Sequence, residues 1–422
     1  MSGMDEASLR RLLDRAVAQE PPMGPVVQGS LVAGIRLRRR RRARNAAASL
    51  ATVAVVGAAI PAIMTTTLGH GPAGSPSGPN KVVVYIGSDH KDTVTPISAA
   101  TNTPGHPIKT DPGPRRLAIT PDGKTVYAAN VDWHTVTPIS TTTNTPGKPI
   151  TVGKGPDAIA ITPDGRTVYV ASAISNTVTP ISTATNTAEK PIRAGPRPVA
   201  IDITPDGKTA YILDGAYGSK GAVLPINTAT NTPEKPIKVG DSPGPMAMTP
   251  DGRTLYVAEA APSRLMPIST ATNTAGKPIK LFHGPVDIAV TPDGKTVYVL
   301  VDGTKGAGLV LPIATASNQV GKPIRLPDRL PQAIVITPDG KTLYVMNYHS
   351  DTVVPISTAT NTSEKLIRVG KGPMAAAFTP DGKTAYVVNL GASTVTPIST
   401  ATNTPGRPIK VGPHPSAIAI TP

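Results

Sequence analysis

The chain has no cysteine, one tryptophan and two phenylalanines among its 422 residues. Without thiols it has no disulfide, no zinc–thiolate site, no iron–sulfur cluster and no thiol nucleophile. With so few large rings, an apolar core must be assembled from Ile, Val, Ala, Leu and Tyr. Acid is also scarce: 27 Asp and Glu stand against 42 Lys and Arg, a formal charge of +15. The signature H-E-x-x-H is absent as well, so no zinc-protease helix is expected. No cofactor and no metal motif is legible. What is abundant is glycine (39) and proline (48), a balance that suits many short strands and tight turns.

The basic excess begins at the N-terminus. Residues 1–45 hold ten Arg and four acids, a net +6. Arg36, Arg38, Arg39, Arg40, Arg41, Arg42 and Arg44 directly precede 23 uncharged residues, 46–68. A helix of that length, at about 1.5 Å per residue, spans a hydrocarbon core of about 30 Å. Arginines crowded on one flank hold that flank in the cytoplasm. The expectation is a cytoplasmic basic segment (1–45), a single transmembrane signal-anchor (46–68), a Gly/Pro/Ser linker (69–80) and an extracellular remainder (81–422). The competing expectation is a signal peptide cleaved near Ala58, Ala59 or Ala62, which would release a secreted protein. Nucleic acid is not expected, because juxtamembrane arginines need no second explanation. Leu9, Leu12, Leu13 and Val17 fall at helical spacing. The segment 6–18 therefore reads as an amphipathic helix that meets a cytoplasmic partner or the inner leaflet.

From residue 81 onward the chain is periodic. Tyr85, Tyr127, Tyr169, Tyr211, Tyr256, Tyr298, Tyr344 and Tyr386 recur at intervals of 42, 42, 42, 45, 42, 46 and 42 residues. One copy, residues 158–195, carries four apolar runs: A (AIAIT), B (TVYVA), C (TVTPIS) and D (PIRAG). Pro-Asp-Gly between A and B presets a type I turn with glycine in the left-handed position. Seven copies hold Asp122, Asp164, Asp206, Asp251, Asp293, Asp339 and Asp381 there. A hairpin turn in each copy is the expected reading, in preference to calcium. Asn144, Asn186, Asn273 and Asn403 suit a left-handed position in the T-A-T-N-T turn between C and D.

Four antiparallel strands per copy is the pattern of a propeller blade. TVYVAS, TAYVVN (residues 384–389) and GPDAIAITPDG resemble the YVTN family of β-propeller repeats, known from bacterial and archaeal surface proteins. The resemblance covers residues 81–422; it implies the fold and leaves activity open. One departure from that family is T-P-I-S in run C, where Pro96, Pro138, Pro180, Pro225, Pro267, Pro312, Pro355 and Pro397 recur. Proline cannot donate to a ladder, so a short or bulged C–D pairing is expected. The first copy begins at run B (residues 82–87) and the sequence closes on a run A (417–422). Joined, they complete one blade, giving an all-β, eight-bladed propeller of four-stranded antiparallel blades preceded by one transmembrane helix. The alternative is a seven-bladed ring with one copy outside it.

A meander puts the A–B and C–D turns at one end of every sheet and the B–C and D–A loops at the other. The second end carries the variation, including two insertions near Tyr217 and Lys305. Rigid scaffolds place function on variable loops. The candidate binding residues there are Asp89, His90, Arg115, Arg116, Asp132, Trp133, His134, Tyr217, His283, Tyr348, His349 and His414. No catalytic residue is assigned. A second polar feature is a basic position before run D: His106, Lys148, Lys190, Lys235, Lys277, Lys322, Lys365 and Arg407. It protects an edge or attracts an anionic partner such as a wall polymer. The functional expectation is a membrane-anchored binding or scaffold module at the cell surface, meeting a cell-envelope component or protein. The rivals are a propeller enzyme of lactonase or lyase type and a transmembrane sensor signalling through 1–45.

Overall fold

The computed structural model describes residues 82–215, 220–303, 307–329 and 331–422. The expected cytoplasmic helix, the anchor, the linker and Tyr217 lie outside the described residues. Among those described there is no helix long and apolar enough to cross a membrane.

Among the described residues, everything in regular structure is antiparallel sheet, arranged in seven hydrogen-bonded sheets. Six have five strands and one has nine. The copy first read from the sequence is representative. Run A is Pro156–Ile161, B is Thr167–Ser172 and C is Thr177–Ser182. Run D is split into Thr187–Ala188 and Ile192–Arg193, both pairing with C. The cause is the expected proline. Pro180 sits opposite Tyr169 of strand B, and its carbonyl accepts the Glu189 amide at 2.8 Å on the outer side. A residue's N and C=O point to the same side of a strand, so the missing N–H faces the outer edge. The inner ladder loses nothing, and D bows away between its two short pieces. The nine-stranded sheet holds two copies because Ile237–Met248 runs unbroken from D of one into A of the next.

Strand B is buried on both faces, as the near-continuous burial of Thr167–Ser172 shows, and neighbouring sheets pack face to face. Tyr127, Ala129 and Val136 of one copy meet Ile159, Val168 and Ile181 of the next. Each repeated tyrosine crosses this interface. Tyr85 Oη donates to Asn144 Oδ1 at 2.8 Å, Tyr127 to Asn186 at 2.6 Å and Tyr298 to Asn361 at 2.8 Å. Tyr169, Tyr211, Tyr256 and Tyr344 do the same to Asn231, Asn273, Asn318 and Asn403. Tyr386 reaches back to Asn102 of the first copy at 2.7 Å. All eight asparagines have positive φ, between 52° and 56°, as the turn requires. Burial raises the Tyr85, Tyr127 and Tyr386 phenols to about 12, so the donor proton is held at any physiological pH.

The Pro-Asp-Gly turns are hairpin turns, with glycine φ between 68° and 72°. Asp122 Oδ1 accepts from Thr120 Oγ1 at 2.6 Å and from the Lys124 amide at 3.0 Å. The Thr120 bond, first among the causes, holds this carboxyl below its ordinary range. Finally, Pro415–Ile420 pairs antiparallel with Val83–Ser88, placing Val84 opposite Ile420 and Ile86 opposite Ile418. Val84, Ile86 and Ile97 also share a core with Met374, Tyr386 and Val388. The first and last copies are therefore joined by both a sheet and an apolar interface.

Candidate functional site

At the B–C/D–A end the same backbone bond recurs. In six copies the fourth residue after the repeated tyrosine donates to the residue before the proline that opens strand A. Val131 reaches Gly113 at 2.9 Å, Ala173 reaches Gly155 at 2.8 Å and Leu390 reaches Gly372 at 2.9 Å. In the joined copy this bond runs between the two ends of the repeat array, from Asp89 N to His414 O at 3.4 Å. That bond extends the Ser88–Pro415 pairing of the joined sheet and sets residues 89–90 beside 414.

The side chains follow. The His90 and His414 rings are stacked, with centroids 3.7 Å apart and planes at 22°. Their nitrogens and a carboxylate oxygen of Asp89 lie within 4.8 Å of one another. Arg115 Nε donates to Asp89 Oδ2 at 3.2 Å, and its other arm stands 3.7 Å from Asp132 Oδ2. Asp89 Oδ1 is buried with no hydrogen-bond partner. Five expected residues thus form one cluster: Asp89, His90, His414, Arg115 and Asp132.

The other candidates stand elsewhere. Arg116 pairs with Asp157 on the neighbouring strand A at 3.1 Å. His134 serves its own loop: at φ 61°, its Nδ1 lies 3.2 Å from both Val131 O and the Gly155 amide. His283 is near Asp302, whose carboxyl is pushed up chiefly by burial, with the histidine acting against the shift. His349 meets Tyr348 edge-on at 5.2 Å, and Tyr348 packs against the apolar core. Trp133 is 63% exposed, so it does not fold back as a cap.

Two contributors were missed by reasoning from residue types. Ile174 and Phe282 are 69% and 71% exposed, in a B–C and a D–A loop of this same end. Phenylalanine is almost as scarce as tryptophan here, and that scarcity was the signal that could have found Phe282. The rim cations are all exposed. Two open grooves of about 910 and 540 Å³ lie between outer runs of adjacent copies, one lined by Tyr298, Lys322 and Asn361 and the other by Pro96, His106 and Asn144. Neither touches the Asp89 cluster, so shape alone does not select the site.

No family model matches this sequence, and no curated protein matches it. Solved structures do. Hydrazine synthase of Kuenenia stuttgartiensis is 26% identical over 70% of this chain and 98% of that one, with a TM-score of 0.59. The dihydro-heme d1 dehydrogenase NirN is 16% identical over 84% and 78%, with a TM-score of 0.68. Apo AztD from Citrobacter koseri is 14% identical over 81% and 97%, with a TM-score of 0.61. All three are β-propeller proteins. The fold of this chain is a β-propeller. The likeness carries the scaffold, and the propeller's loops carry whatever is particular to this protein.

Proposed function

We propose that the chain is an eight-bladed propeller of the YVTN type, held on the outer face of a bacterial membrane by residues 46–68, and that its B–C/D–A end binds a cell-envelope component. The observation that carries the binding reading is where the exposed apolar surface falls. Among the described residues, four large hydrophobic side chains are exposed: Trp133, Ile174, Phe282 and Leu366. Three of them lie in loops of this end, together with the Asp89–Arg115–Asp132 ion cluster. Aromatic and aliphatic anchors beside charge are the composition of a recognition surface. The eight tyrosine–asparagine bonds that return to the first copy support the blade count. The exposed rim cations add long-range attraction for an anionic wall polymer, one that weakens as salt screens it. The arginine cluster before residue 46 supports the topology.

The test has two arms. On intact cells, a cysteine placed at Ser77 should react with an impermeant reagent and one at Ser8 should not; the reverse pattern ends the topology. Full-length protein carrying Phe282→Ser with Ile174→Ser should lose retention on isolated cell envelope without a change in melting. Unchanged retention would remove this end as the binding surface.

A further inference from the structure

We propose that Asp89, His90 and His414 form a site for a divalent late transition-metal cation, of which Zn²⁺ is the representative. The donor set is two imidazole nitrogens and one carboxylate oxygen, all within 4.8 Å. That set suits zinc, cobalt, nickel or copper; calcium and magnesium want a shell of oxygens. Three protein donors also leave a coordination position open for water or a ligand atom. Zinc–nitrogen bonds of about 2.0–2.1 Å would draw the donors closer than they stand. His90 and His414 are both exposed and free to make that movement.

Three observations single out this cluster. Asp89 Oδ2 is taken by Arg115, while Oδ1 is buried without a donor; a cation would be its missing partner. Arg115 is itself shared with Asp132, so two carboxylates and one guanidinium leave a net negative charge to face the metal.

The second is the backbone at His414. The place before the proline that opens strand A is Gly113, Gly155, Gly284 and Gly372 in other copies. His414 holds it at φ 53°, a left-handed conformation that a β-carbon disfavours. Half of the copies keep glycine there, and a side chain held in that conformation is strain that asks for a function. Three other copies also depart, with Arg197 at φ 56°, Ser242 at φ 54° and, by sequence, Leu330, but none of these is a metal-ligating type.

The third is Asp89. The matching loop position holds Val131, Ala173, Gly215, Ala260, Tyr348 and Leu390 in six other copies and an aspartate in one, Asp302, where the residue before the strand A proline is Gly284 and not a histidine. Both loops of the joined copy therefore depart from the repeat at once, from opposite ends of the array, and they depart toward metal ligands. The site stands whether or not the same end holds an envelope partner.

The test uses untagged full-length protein in detergent, stripped with a chelator and titrated with Co²⁺ and then Zn²⁺. One equivalent of Co²⁺ should develop visible d–d absorption, which Zn²⁺ displaces, and Zn²⁺ should raise the melting temperature. His414→Gly installs the residue that four other copies carry. It should melt at or above the metal-free wild type and yet bind both ions at least ten-fold more weakly. His90→Gln and Asp89→Asn should weaken binding as well. The proposal falls if the wild type shows no saturable Co²⁺ or Zn²⁺ binding. It also falls if His414→Gly and His90→Gln bind as the wild type does, or if Ca²⁺ displaces Co²⁺ at equal concentration.

Discussion

The two ends of the sheets are made by the same four strands, yet one end repeats itself and the other does not. At the turn end seven copies repeat the same bonds, threonine donating to aspartate and the amide two residues on donating to that aspartate, and all eight bond tyrosine to the neighbour's asparagine. At the loop end the backbone bond from B–C to D–A also repeats, while the side chains around it change from copy to copy. The difference teaches where specificity is free to vary. An end that fixes neighbour to neighbour cannot tolerate novelty; an end that needs one backbone bond per copy can. The joined copy lies at the extreme of that freedom, since its loop bond is the long one and its loops hold the Asp89–His414 cluster.

The comparison breaks first, and hardest, at the strand that joins the ends. Deleting residues 415–422 exposes Val84 and Ile86, both fully buried, and removes Pro415–Ile420 from the sheet. Several apolar side chains at about 1.5–3 kcal/mol each stand against a net stability of about 5–15 kcal/mol. Soluble expression should collapse, or the melting temperature fall steeply. An unchanged melting curve would mean that the array is held elsewhere.

A buried departure from the repeat gives a pH-dependent effect. Asp287 is 1% exposed where other copies have Ala158, Ala200, Ala375 and Ala417. Burial pushes its carboxyl up to about 8 from 3.8, against hydrogen bonds from the Ile334 and Ile288 amides. The folded protein thus keeps a proton that the unfolded chain releases between about pH 4 and 8. Its contribution is fully present below pH 4 and is lost as pH rises to about 8. Wild type should melt a few degrees lower at pH 8 than at pH 5, by about 2–4 °C for each kcal/mol. In Asp287→Ala that slope should shrink; an equal slope in both would assign it to other groups.

Smaller still is the tyrosine test. Tyr169→Phe and Tyr386→Phe each delete one interface hydrogen bond, to Asn231 and Asn102, at about 1 kcal/mol. Equal losses in denaturant melts would show that the joined copy is bound to its neighbour as firmly as any other. A silent Tyr386→Phe would mark the joint as weaker. Smallest is Trp133→Ala, which should leave melting within about 0.5 kcal/mol of the wild type, as changes at exposed sites do. A loss of about 2 kcal/mol or more would show a packed indole.

Much of the fold was legible because the period is strict. Glycine after Pro-Asp, asparagine in the C–D turn and the pairing of residues 417–420 with 84–87 all follow from repeated local chemistry. The split of run D was foreshadowed by Pro180, although not its two-piece form. The tyrosine–asparagine bonds were not legible: partners 59–63 residues apart in seven of them and 284 apart in the eighth leave no local trace, and asparagine already had a reason to be in the turn. For the site, the sequence placed Asp89, His90 and His414 only among the loops of one end. What the sequence hid was competition for charge. Arg116 turned to Asp157, an acid inside strand A that residue counting passed over, and His134 was taken by its own loop.

The bond between Asp89 and His414 also bears on how the molecule comes into being. Val84 cannot meet Ile420, nor Tyr386 meet Asn102, until nearly the whole array has been synthesised. Contacts of that sequence separation form slowly, and until they do the unpaired strand is open to wrong partners. Of all the blades, the earliest made is therefore the last completed, and the cation site exists only in molecules that have finished folding.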